Sequence, residues 1–146
     1  MRRWFATTLR FRQISGMHFV CERHVGKKIP RVLQDELHAD IVLVEVNPDP
    51  GDNAVVVSAN TDDRTIVTRD SEFTTRPICS INGGVIFIPQ TLDNVTVKLD
   101  DVLDCLRKIG ASGLLDVLGH GVCSVMPDGV SIQSLDGTKY ISIDEF

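Results

Sequence analysis

Four short runs of apolar, mostly β-branched residues constrain the fold of this chain more than any other feature of its sequence. Each run has the length of a β-strand, and its hydrophobic side chains stand at successive positions, which is typical of strands buried on both faces. Segments with leucine, isoleucine and valine at helical spacing separate or follow the runs. This alternation predicts an α/β fold with a parallel sheet of roughly four strands and helices on its faces. The runs are residues 18–21, 40–46, 65–69 and 84–89, and the clearest helical segments are residues 29–37 and 99–107.

Local signals refine this arrangement. Residues 19–21 of the first run are short and wholly apolar, so we expect this strand near the centre of the sheet. Residues 47–52 have the composition of a turn, and Asp52 is well placed to cap a short helix over residues 54–60. The three valines at residues 55–57 favour a strand there by propensity. The last helix is expected to stop at Gly110.

The chain changes character in its last third. Residues 121–126, 130–133 and 140–143 have strand-like composition, and turns that contain aspartate and glycine separate them. We therefore predict a C-terminal antiparallel β-meander. The predicted organisation is a basic N-terminal arm or leader at residues 1–16, an α/β domain at residues 17–112, and a β extension packed on the same domain at residues 113–146.

Length and composition favour an intracellular globular protein. The 146 residues fit one domain, and no apolar run approaches the roughly 18 residues that a membrane-spanning helix needs. The four cysteines lack the spacing of a zinc site and are expected to be buried free thiols in a reducing compartment. They are Cys21, Cys79, Cys105 and Cys123. We expect a cytoplasmic location, although the basic, acid-free residues 1–16 also suit a mitochondrial transit peptide.

Positive charge is concentrated near the N-terminus of an otherwise acidic chain. The net charge is −5, yet residues 1–31 hold eight of the fifteen Lys and Arg residues against a single acid, Glu22. A basic surface on an acidic body can bind a phosphate backbone. The same residues also suit a leader followed by a solvated helix face, and the sequence supports both interpretations.

Three acidic residues stand where such a fold would bring them together. Glu22 and Asp70 each follow a predicted strand directly, and Asp52 opens the helix between two others. Ligands of parallel sheets collect at the carboxyl ends of the strands. The topology therefore predicts a site at this edge of the sheet.

Residues 17–110 resemble the short PIN-like ribonuclease domains that occur among bacterial and archaeal toxin–antitoxin partners. The resemblance rests on the order and spacing of three motifs. They are FVCERHV at residues 19–25 with the helical segment at 26–33, GDNAV at residues 51–55, and IVTRDSEF at residues 66–73. The family pattern has Asp at the position of Glu22, an acid and an amide at Arg23 and His24, and a pair of acids where this chain has Asp52 and Asn53.

The resemblance implies a three-layer PIN-like fold and a metal-dependent endoribonuclease that hydrolyses RNA phosphodiester bonds. A Mg²⁺ or Mn²⁺ ion would polarise the phosphate and activate a water molecule. The implied catalytic residues are Glu22, Asp52 and Asp70. The implied metal ligands are the same three residues and Glu72. The basic residues expected to neutralise RNA phosphates are Arg23, Lys27, Lys28 and Arg69.

The sequence leaves other interpretations open. A catalytically degenerate PIN-like module that binds RNA or a protein partner would explain the substituted acids. A protein partner could be an antitoxin or a second copy of the chain, and no membrane partner is expected. Taken singly, Asp70 could end its strand through an Asx turn, and Glu22 could pair with Arg23 or Lys28. A flavodoxin-like nucleotide binder is disfavoured because the chain has no glycine-rich phosphate loop.

Overall fold

A computed structural model describes residues 17–44, 51–77, 80–117 and 119–146. The predicted N-terminal arm or leader at residues 1–16 and the thiol of Cys79 lie outside this part of the chain. Among the described residues, no helix has both the length and the apolar composition needed to cross a membrane.

One mixed sheet of seven strands organises the described part of the chain. Its strands are β1 (His18–Cys21), β2 (Asp40–Leu43), β3 (Thr65–Thr68), β4 (Val85–Phe87), β7 (Val122–Met126), β8 (Gly129–Ser134) and β9 (Gly137–Ser142). They lie in the order β2-β1-β3-β4-β7-β8-β9 across the sheet. The first five strands in this order run parallel to one another, and β8 and β9 continue the sheet in antiparallel pairing. A separate small hairpin consists of β5 (Thr91–Leu92) and β6 (Val95–Thr96).

The predicted α/β class and the C-terminal antiparallel meander are confirmed. Strand β1 is an interior strand between β2 and β3, but it is the second of the seven strands, and β4 is the central one. The prediction that β1 lies near the centre of the sheet is therefore wrong, because a strand needs only cover on both faces, and not a central place, to be wholly apolar. The meander does not form a sheet of its own, because its first strand, β7, pairs in parallel with β4. The parallel part therefore has five strands where the sequence predicted about four.

Three helices of the described part of the chain cover the two faces of the sheet. They are α1 (Lys28–Arg31), α2 (Asp52–Thr61) and α3 (Leu99–Ser112). The predicted helix at residues 29–37 is an α-helical turn that continues as a π-helical segment, Val32–Glu36. Single turns of 3₁₀ helix occupy Arg23–Val25, Ser71–Thr74, Leu114–Val117 and Ile143–Glu145.

Each face of the sheet has its own hydrophobic cluster. Successive residues of a strand point to opposite faces, so Phe19 and Cys21 join one cluster while Val20 joins the other. The larger cluster packs beneath α1 and α3, and the smaller one packs beneath α2. This two-sided burial explains why β1, β3 and β4 lack alternating polar residues. Strand β2 differs from the prediction of a buried strand: it lies at the edge of the sheet, and Val42 and Leu43 are exposed in the described part of the chain.

Two helix boundaries differ from the sequence prediction. Helix α3 does not stop at Gly110 but continues to Ser112, where Gly113 adopts a left-handed conformation with φ of 84°. Gly110 lies inside the helix and against Leu37, because a Cβ atom there would lie 2.5 Å from Leu37 Cδ1 and would require that side chain to move. The N-cap of α2 is Gly51 rather than Asp52, and a glycine has no side chain with which to cap the helix.

Candidate metal centre

Three carboxylates converge at the carboxyl edge of the parallel sheet. Asp52, Asp70 and Glu72 each offer an oxygen atom, and these three atoms lie within 4.8 Å of one another. Asp52 and Asp70 are partly buried, and Glu72 is exposed. A divalent cation with oxygen ligands at about 2.0–2.6 Å could contact all three carboxylates at this spacing.

The turn after β3 positions two of the acids. Asp70 Oδ1 accepts a hydrogen bond of 3.0 Å from the backbone amide of Glu72 and so caps the 3₁₀ turn Ser71–Thr74. Phe73 in the same turn is buried against the sheet. The Asx turn that the sequence suggested for Asp70 is therefore present. It leaves the other oxygen of Asp70 available to the site.

Helix α2 brings the third acid, because Asp52 is its first residue. Arg76 Nη2 donates a hydrogen bond of 3.0 Å to Asn53 Oδ1, which ties the start of α2 to the chain that follows the acidic turn. The guanidinium of Arg76 also lies 5.8 Å from the ring centroid of Phe73. These contacts hold Asp52 beside Asp70 and Glu72.

Glu22 lies near Asp70 but does not belong to the group of three clustered acids. Its side chain is buried, with a relative exposure of 2% for the residue. Oε1 accepts hydrogen bonds from Thr68 Oγ1 at 2.9 Å and from the His24 amide at 3.0 Å, and Oε2 lies 2.5 Å from His24 Nδ1. His24 Nδ1 is also 4.0 Å from Asp70 Oδ2. These two distances, taken end to end, limit the separation of the Glu22 and Asp70 carboxylates to about 6.5 Å.

Thr68 joins Glu22 to Asp70 through a single hydroxyl group. Thr68 Oγ1 donates to Glu22 and accepts a hydrogen bond of 2.9 Å from the backbone amide of Asp70. Thr68 is fully buried at the end of β3. The position of Asp70 is therefore coupled to the buried carboxylate of Glu22, which directly follows the neighbouring strand β1.

An open cleft of about 340 Å³ adjoins Asp70. Its lining combines one acid, one guanidinium, an imidazole, an aromatic ring and three neutral polar side chains. The lining residues are Asp70, Arg69, His24, Phe87, Ser71, Gln90 and Thr91.

Arg69 is the predicted RNA-binding residue that the structure places in this cleft. Its Nε and Nη2 donate hydrogen bonds of 3.2 and 3.1 Å to the carbonyl oxygens of Ile88 and Pro89. Partial burial lowers the pKa of the Arg69 guanidinium from its ordinary value. A guanidinium remains charged at neutral pH, so the cleft carries a fixed positive group beside the acids.

The other predicted basic residues lie outside the cleft lining. Arg23 and Lys27 are exposed on the segment that follows Glu22. Lys28 Nζ is 3.6 Å from Asp100 Oδ1, an ion pair between α1 and the first turn of α3.

Several residues of the site were not predicted from the sequence. Thr68 could have been suspected because it ends a strand two residues before Asp70. Nothing in the sequence around Arg76 indicates its contact with Asn53. Likewise, nothing in the sequence around Gln90 and Thr91 indicates that they line the cleft. Their positions depend on how β4 and α2 pack against β3.

Comparisons with models of known protein families, with curated proteins and with solved structures found no match to this chain. The resemblance to PIN-like domains thus stays a prediction, and the site must be judged by its own chemistry.

Proposed function

We propose that this protein is a metal-dependent endoribonuclease of PIN-like type. The observation that carries the proposal is the approach of Asp52, Asp70 and Glu72 to within 4.8 Å of one another. Such a cluster of acids is unfavourable without a cation, since like charges repel. Carboxylate oxygens are the ligands that Mg²⁺ and Mn²⁺ prefer, and we assign one of these ions as the cofactor.

The side chains around the acids suit a phosphodiester substrate. When bound, the ion supplies charge stabilisation at the phosphate and an activated water. Arg69 offers a guanidinium to a phosphate oxygen at the mouth of the cleft. Glu22 acts indirectly in this proposal, because it fixes His24 and Thr68 next to Asp70. This assignment modifies the predicted role of Glu22 as a direct ligand.

A cation titration followed by an RNA assay tests the proposal. Millimolar Mn²⁺ should raise the unfolding temperature of the wild type and support cleavage of a labelled RNA. Glu72→Gln should weaken both effects, because it removes one charged ligand at nearly constant size. Asp35→Asn serves as the control, since Asp35 is an exposed acid on the π-helical segment, and it should match the wild type in both assays. A wild type that responds to neither Mn²⁺ nor Mg²⁺ would refute the enzymatic proposal.

One observation favours the non-catalytic alternative. Both oxygens of Glu22 already have close contacts with His24 or Thr68, which leaves three acids for the ion. A PIN-like module that binds RNA or a protein such as an antitoxin would still use the cleft beside Asp70. RNA binding without metal-stimulated cleavage would select this alternative.

A further inference from the structure

The cleft beside Asp70 has an uncharged wall that the proposed hydrolysis does not use. Phe87, at the end of β4, lines it together with Gln90 and Thr91 from the following segment. Phe87 is partly exposed, and the other two residues are exposed. An aromatic ring next to an amide and a hydroxyl is suited to stacking and hydrogen bonding rather than to phosphate neutralisation.

Hydrogen bonds to the backbone hold this wall in place. Arg69 binds the two carbonyl oxygens that precede Gln90, at Ile88 and Pro89. The carbonyl of Gln90 itself accepts a hydrogen bond of 2.9 Å from the amide of Val97. The backbone that carries the Gln90 amide is therefore fixed on both sides, which lowers the entropy cost of using it to bind a ligand.

The size of the cleft limits what can enter it. A volume of about 340 Å³ is near the lower end of the roughly 300–1,000 Å³ found for small-molecule pockets. Such a cleft has room for about one nucleotide.

We propose that Gln90 and Thr91 form a base-reading subsite that selects the nucleotide beside the cleaved phosphate. The proposal rests on the proposed ribonuclease function and adds sequence preference to it. The side-chain amide of Gln90 offers N–H donors and a carbonyl acceptor, whereas the four bases arrange their donors and acceptors differently. Phe87 provides a face for any base, and Arg69 provides the phosphate contact.

Binding of four labelled five-nucleotide homopolymers, of A, C, G and U, tests this subsite. Ca²⁺ replaces Mn²⁺ in the assay, and gel analysis checks that the RNA stays intact. The wild type should discriminate between the best and the worst base by about three- to tenfold, the effect of one hydrogen bond. Gln90→Ala should remove most of this discrimination, and Gln90→Glu should change the order of preference because it replaces a donor by an acceptor. Gln133→Ala, an exposed glutamine on β8, is the matched control and should keep the wild-type preference.

The outcomes separate the two proposals. Equal affinity of the wild type for all four RNAs would overturn the subsite, and so would a preference that survives in both Gln90 variants. Either result would leave the ribonuclease proposal intact as long as RNA still binds and is cleaved in Mn²⁺. A wild type that binds none of the four RNAs overturns both proposals.

Discussion

At the scale of single residues, Asp70 combines a structural and a proposed chemical role. Its Oδ1 caps the 3₁₀ turn, and its carboxylate is one of the three clustered acids. The two roles respond differently to substitution, because an asparagine can accept the capping hydrogen bond but carries no charge.

Asp70→Asn should therefore leave metal-free stability unchanged or slightly higher, since it removes like-charge repulsion and keeps the cap. It should abolish the stabilisation by Mn²⁺, which for the wild type amounts to about 2.7 kcal/mol at a hundredfold excess over Kd. Urea unfolding with and without Mn²⁺ measures both quantities. Asp70→Ala is the comparison, because it also loses the cap and should cost about 0.5–2 kcal/mol. An Asp70→Asn variant that still responds fully to Mn²⁺ would exclude Asp70 as a ligand.

Thr68 is the second residue with a measurable role. Thr68→Val is nearly isosteric and removes both hydrogen bonds of the hydroxyl, one of them to a buried carboxylate. We expect a loss of about 1–3 kcal/mol, because the buried Glu22 carboxylate and the Asp70 amide each lose a hydrogen bond. Thr65→Val is the control: Thr65 is also buried on β3, and its hydroxyl donates one hydrogen bond of 2.7 Å to Gly83 O. Equal losses in the two variants would argue against a special contribution of the Thr68 link.

At the scale of elements, Gly84 allows β4 to approach its neighbours. It has φ of 76°, and a Cβ atom there would clash with Gly119 O and lie 2.5 Å from Gly121 O. Both contacts are to backbone atoms, which cannot rotate away. Gly113, at the end of α3, has a similar φ of 84°, but a Cβ atom there would meet no other atom within 4 Å in the described part of the chain.

Substitutions at Gly84 and Gly113 distinguish the cost of backbone strain from the cost of a steric clash, because both positions have a positive φ and only Gly84 has close neighbours. Gly113→Ala should cost about 1–2 kcal/mol, the penalty for an L-residue in the left-handed region. Gly84→Ala should cost several kcal/mol more, because strain and overpacking add. Chemical denaturation gives both values, and a Gly84→Ala variant that fails to fold fits the same expectation. Similar, small losses in both variants would show that β4 and the segment before β7 do not meet closely.

At the scale of the whole molecule, the C-terminal strands complete the core. Cys123 and Val125 of β7 and Val130 of β8 belong to the same hydrophobic cluster as Phe19 of β1. Three of the predicted free thiols, at Cys21, Cys105 and Cys123, are confirmed as free and buried. Burial raises the pKa of Cys21 and of Cys123 to about 12 from an ordinary value of 9.0.

From the raised pKa values of these two thiols we predict that the protein loses stability at alkaline pH. Between pH 9 and 12 the unfolded chain releases their protons while the folded chain retains them, so unfolding becomes more favourable as the pH rises. Each such thiol contributes a slope of about 1.4 kcal/mol per pH unit. Cys123→Val should reduce the slope by roughly that amount in urea unfolding at about pH 9–11, with little change in slope below about pH 8. Identical slopes in wild type and variant would contradict the burial of Cys123.

The sequence by itself determined the elements of this protein. Burial on both faces left continuous apolar runs at β1, β3 and β4, and helical spacing identified α3, because these patterns are local consequences of backbone geometry. It also placed Asp52 and Asp70 at one edge of the sheet, since the carboxyl ends of parallel strands share an edge. The strand propensity of the valines at residues 55–57 was misleading. Helix α2 forms there, with Val55 and Ala59 buried against the sheet.

Only the tertiary structure determined the strand neighbours and the membership of the acidic cluster, because both depend on contacts between residues far apart in the sequence. Parallel pairing of β7 with β4 joins the meander to the main sheet, and no local pattern encodes which strand is the neighbour. The composition of the acidic cluster was decided in the same way. The side chain of Glu22 contacts Thr68 and His24. The turn that Asp70 caps places Glu72 beside the two aspartates. The hydrogen bond between Glu22 and Thr68 joins residues 46 positions apart, and it exists only after the sheet has assembled.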